Sequence, residues 1–105
     1  MENQLYTALL QKLSQDFSLE ENSLPVEADM NLIREHLIER IKELMSRNYE
    51  RFLNSLYRID LSEANVHEVL HSKDKLSIPS QLADLIIERQ LQRIKTQILY
   101  REGKL

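Results

Sequence analysis

The residues best suited to chemistry are His67-Glu68-Val69-Leu70-His71. Two histidines four apart share one face of a helix, so both imidazoles can reach a single zinc ion. The glutamate between them can act as general base toward a water bound to that ion. His67 and His71 are therefore the candidate metal ligands, and Glu68 is the candidate base. His36, beside Glu35 and three residues before Glu39, is a second partial set, and a solvated helix face accounts for it more simply.

The second constellation is a ladder of arginines: Arg40, Arg47, Arg51 and Arg58. Their steps of seven, four and seven align all four on one side of a continuous helix. Glu35, Glu39, Glu43 and Glu50 occupy the other flank. Guanidinium forks pair bidentately with phosphate, so the ladder could hold an anion or a nucleic-acid backbone. It could equally meet the acidic flank of an antiparallel partner helix. The simplest account is pairing within the chain, for example Glu43 with Arg47.

The segment His67–His71 resembles the zinc metalloprotease motif, over five residues of the 105. The resemblance implies a zinc-dependent hydrolase with two histidine ligands, a glutamate base and a third ligand further along. The surrounding residues depart from it. Lys73 stands two residues beyond the second histidine, where that motif is apolar. Asp74 and Ser77 stand where the extended form has a glycine and a third histidine. The other common third ligand is a glutamate on a following helix, and Glu88 is the nearest downstream glutamate.

Other chemistries are excluded by composition. With no cysteine there is no thiolate catalysis, disulfide or cysteine-based metal site, which suits a reducing compartment. A single glycine, Gly103, leaves no glycine-rich phosphate loop, and no serine sits in a nucleophile elbow. Tyr49, Tyr57 and Tyr100 read as amphipathic core-edge residues, and Met30 and Met45 as gap fillers. The net charge of −3 gives no global attraction to nucleic acid. A helix-turn-helix reading places Pro79 to Ile87 against DNA, and that stretch holds Asp84 and no base.

The elements that must position these residues are helical. From Asp29 to Ile59 there is neither Gly nor Pro, and apolar residues recur at intervals of three and four: Met30, Ile33, Leu37, Ile41, Leu44, Met45, Tyr49, Phe52, Leu56 and Ile59. One unbroken helix there would be roughly 45 Å long. Leu32, Ile38, Leu53 and Tyr57 widen its apolar side, which calls for more than one neighbour. A first helix over 2–16 carries Leu5, Tyr6, Leu9, Leu10, Leu13 and Phe17. Ser23-Leu24-Pro25, followed by Glu27, reads as a helix start. A short helix begins at a cap formed by Asp60 with Glu63, or by Ser62, and runs to about His71. A last helix spans 79–101, with Leu82, Ala83, Ile86, Ile87, Leu91, Ile94 and Ile98 facing inward and Gly103 ending it.

The expected fold is all-α, a single domain over 1–105. It is a small helical bundle of three longer helices plus one short helix, organised around the long central helix at about 29–59. The expected function is that of a small non-enzymatic protein–protein interaction or oligomerisation module, a homodimer formed through the long central helix or the last helix, or the binder of another protein. The alternatives are an anion or nucleic-acid-backbone binder through the arginine strip, and a zinc-dependent hydrolase through His67-Glu68-Val69-Leu70-His71. No cofactor and no nucleic-acid partner are expected. No leader and no membrane-spanning run are read in the chain, and the cytoplasm is the expected location.

Overall fold

The computed structural model describes residues 2–19 and 29–103. Among them the chain is all-α: α1 (Glu2–Phe17), α2 (Met30–Arg47), α3 (Tyr49–Arg58), α4 (Glu63–Leu70) and α5 (Ile78–Arg101), with a 3-10 turn at Lys75–Ser77 before α5. The helix start read at Ser23–Pro25, with Glu27, lies outside the described residues. Among the described residues no helix is long and apolar enough to cross a membrane.

The expected central helix over 29–59 is two helices that meet at Asn48. Its backbone, at φ −152° and ψ 78°, is not helical. The Asn48 N–H still donates to the Leu44 carbonyl and closes α2. Its side chain then accepts from the Arg51 N–H at 3.2 Å and opens α3. One asparagine thus caps both helices without any glycine or proline. An unbroken helix of about 45 Å would exceed the longest dimension of the molecule, 42 Å.

α5 takes over the organising role. It packs against α1, α2, α4 and the 3-10 turn, while α3 rests on α1 and α2. α1 runs antiparallel to α5: Asp16 meets Gln90, and Ala8 borders the same cleft as Ile98. The core joins Leu9, Leu13 and Phe17 of α1, Ile33, Leu37 and Ile41 of α2, Phe52 and Leu56 of α3, Val66 of α4, and Leu82, Ile86 and Ile94 of α5. Phe17 and Phe52 meet with ring centroids 6.2 Å apart and planes tilted by 60°, an attractive aromatic geometry.

The turns follow local rules. Asp29 caps α2 by accepting from the Leu32 N–H at 2.9 Å. Ser62, not Asp60, caps α4, accepting from the Asn65 N–H. Asp60 instead adopts a left-handed conformation, φ 64°. Its N–H bonds the Tyr57 carbonyl and the Leu61 N–H bonds the Leu56 carbonyl, the pairing of a Schellman stop. Gly103, φ 71°, ends α5 as the sequence implied.

Candidate functional site

α4 turns Val66 into the core and keeps Val69 and Leu70 half-buried, which leaves His67 and His71 facing water. Their ring centroids lie 4.0 Å apart with planes at 34°. Nδ1 of His71 sits 2.9 Å from the His67 carbonyl oxygen. A carbonyl only accepts, so this nitrogen is the donor. Glu68 is exposed beside them. Among the described residues no three or more metal-ligating side chains converge on one point. Glu88 borders another recess, of about 240 Å³, with Asp60, Asn65 and Arg89, and neither histidine lines it. The third ligand of a hydrolytic zinc centre is therefore not assembled among the described residues. His36 repeats the His71 device, with Nδ1 3.1 Å from the Leu32 carbonyl.

The arginine ladder is divided. Arg40 and Arg47 belong to α2, Arg51 and Arg58 to α3, and the break at Asn48 removes the common helical phase. Arg40 is committed to the fold: Nε donates to the Phe17 carbonyl at 3.1 Å, and its fork pairs with Glu43 at 3.0 Å. The expected Glu43–Arg47 pair is replaced by this one. Glu39 is likewise paired, to Lys42 at 3.0 Å. Arg47, Arg51 and Arg58 are exposed, and no side-chain hydrogen bond or ion pair holds them among the described residues.

The outer side of α5 was not singled out by sequence reasoning. Asp84, Glu88, Leu91, Lys95 and Ile98 recur at steps of four, three, four and three, so they share one face of a helix. Leu91 is half-buried and the other four are exposed. From Lys95 to Gly103 every residue is exposed. Ile98, expected in the core, is 37% exposed, with Leu99 at 39% and Tyr100 at 76%. The burial stripe stops at Ile94, and between this end of α5 and α1 lies a cleft of about 420 Å³ rather than packed side chains. Gln11, Lys12, Gln15, Gln97 and Arg101 line that cleft together with Ala8, Ile94 and Ile98, so Ile98 stands at the edge between the cleft and the outer face. The heptad spacing was present in the sequence, but it was hidden by assigning Ile98 to the inner stripe.

Asp84 on this face is held by Arg34 of α2, with Nε 2.6 Å from Oδ1 and a second guanidinium nitrogen 3.2 Å from Oδ2. That hydrogen bond raises the Arg34 guanidinium above its ordinary range, against a smaller opposing effect of burial. Comparison of the chain with protein-family models, with curated proteins and with solved structures finds no match.

Proposed function

We propose that this chain is a small non-enzymatic interaction module that self-associates through the outer face of α5. The observation that carries the reading is the last stretch of α5, exposed from Lys95 onward although it bears Ile98, Leu99 and Tyr100. Three apolar side chains on an uncovered helix end gain free energy by meeting a partner.

The charge pattern of that face is self-complementary. When two α5 helices run antiparallel about a twofold axis between Leu91 and Gln92, Glu88 of each copy meets Lys95 of the other. Leu91 lies near the axis, and Ile98 reaches the level of Asp84 and of the half-buried Leu85 in the other copy. An isologous pair makes each contact twice, which is why the commonest assemblies are twofold. A chain without cysteine suits the reducing cytoplasm, where we place it.

The test is the mass in solution over a range of concentrations. The chain should be a dimer, and Ile98→Glu should make it a monomer. Glu88→Lys and Lys95→Glu should each weaken the dimer, and the two changes together should restore it. A chain that stays monomeric at high concentration overturns the reading.

A second reading rests on Arg47, Arg51 and Arg58, three guanidinium groups on α2 and α3 that stand free of side-chain partners among the described residues. These suit a phosphate-bearing polymer. Binding that weakens steeply with salt and disappears in the Arg47→Glu, Arg51→Glu double variant would favour it.

A further inference from the structure

α4 offers a site that self-association does not use. His67 and His71 stand on its water-facing side with ring centroids 4.0 Å apart. Two imidazole nitrogens bound to one tetrahedral zinc, each at about 2.0–2.1 Å, stand roughly 3.3 Å from one another. The rings are 4.0 Å apart and tilted by 34°, so turning the two exposed side chains is what would bring one nitrogen of each to that separation. The His67 carbonyl, by holding the Nδ1 proton of His71, fixes the ring that would bind through Nε2. A hydrogen bond of this kind is what orients ligating histidines in metal sites. Both rings are exposed, so an ion displaces only water.

We propose that His67 and His71 form a two-point chelate for one borderline divalent transition-metal ion. Imidazole pairs select such ions over magnesium and calcium, and the series of affinities places Cu²⁺ first, with Ni²⁺ and Zn²⁺ after it. Water fills the remaining positions. The chelate spans the last turn of α4 and its cap, because His71 is the residue that closes the helix. A helix of eight residues is marginal alone, so an ion tying its last turn together raises the stability of the folded chain.

The experiment titrates the tag-free chain with Cu²⁺, Ni²⁺ and Zn²⁺ by calorimetry, with Mg²⁺ as control, and follows thermal unfolding at each ion concentration. Expected are one ion per chain, the order above, no heat with Mg²⁺ and a Tm that rises with bound ion. His67→Ala and His71→Ala should each weaken binding by at least about tenfold, while His36→Ala leaves it unchanged. Both histidines of the pair are exposed, so the variants keep the fold, and circular dichroism checks this. No binding at about 1 mM ion overturns the proposal. So does binding that survives the His67→Ala, His71→Ala double variant, which would mark an adventitious ion only. Neither result bears on whether the chain dimerises.

Discussion

Gln90 of α5 donates from Nε2 to Oδ2 of Asp16 at 2.6 Å, joining two helices across 74 residues of chain. Gln90 is fully buried, and its carbonyl oxygen accepts from Arg93 at 3.1 Å. Arg93 also approaches Asp16 at 3.9 Å. The three side chains form a closed polar set inside the α1–α5 contact, and no buried side-chain polar atom among the described residues is left without a partner.

This arrangement makes Asp16 costly to remove. Asp16→Ala leaves the buried Gln90 amide without an acceptor, a loss of about 1–3 kcal/mol. Gln90→Leu removes the buried polar group together with its need for a partner, so it should cost less than Asp16→Ala. Urea unfolding of both single variants and of the double variant checks this. If the double variant equals the sum of the singles, the two residues are not coupled.

Two arginines perform one task at separate helix ends. Arg40 donates to the Phe17 carbonyl, and Arg89 of α5 donates to the Ile59 carbonyl at 2.9 Å. Each of those carbonyls immediately precedes a left-handed residue, Ser18 at φ 55° and Asp60 at φ 64°. A cation at the carbonyl end of a helix also opposes the negative pole of its dipole. Arg40→Ala and Arg89→Ala should each destabilise by about 1–2 kcal/mol. Ser18→Gly should stabilise by up to about 1 kcal/mol, because glycine adopts that backbone without a Cβ penalty. Thermal unfolding of the three variants measures both signs.

Asn48 decides where α2 ends. Its side chain supplies the cap of α3, so Asn48→Ala should cost about 1 kcal/mol, whereas Asn48→Asp or Asn48→Ser keeps an acceptor and should cost far less. If the alanine variant is as stable as the parent chain, packing and not the cap imposes the break. Chemical denaturation distinguishes the two.

The inner stripes were legible because a period of 3.6 leaves few choices: Ile33, Leu37, Ile41, Phe52 and Leu56 all lie in the core. Asn48 was not legible as a break, because an asparagine in a helical window costs little and its cap needs only the Arg51 N–H three residues on. That one residue also dissolved the arginine ladder, whose alignment assumed a continuous helix. Tyr49, just past the break, is 43% exposed instead of lying on the stripe. Gln90 sits at a core position, four residues from both Ile86 and Ile94, and that phase alone signalled a buried amide. Its acidic partner was out of reach, since nothing in a linear pattern links residues 16 and 90. The water-facing placement of His67 and His71 followed from Val66, Val69 and Leu70 taking the inner side of α4.

The Arg34–Asp84 pair yields a prediction about salt and pH. Its side chains are 37% and 60% exposed, so solvent screens it, and Asp84→Asn should cost at most about 1 kcal/mol. The Arg34 guanidinium is held above its ordinary range by Asp84. A group raised in this way contributes fully below its unfolded value and loses the contribution only as pH climbs through the folded one. The difference between parent and variant should therefore stay constant between about pH 7 and about pH 9. It should shrink in about 1 M salt, where screening acts within roughly 3 Å. Urea unfolding in low and high salt at both pH values measures it, and a difference that fell toward about pH 9 would show that another group carries the effect. Asp84 also lies on the outer face of α5, opposite Leu99 in the antiparallel pairing. Freeing its charge by Arg34→Ala should weaken self-association beyond the change in stability, because an unpaired carboxylate would then sit against an apolar side chain.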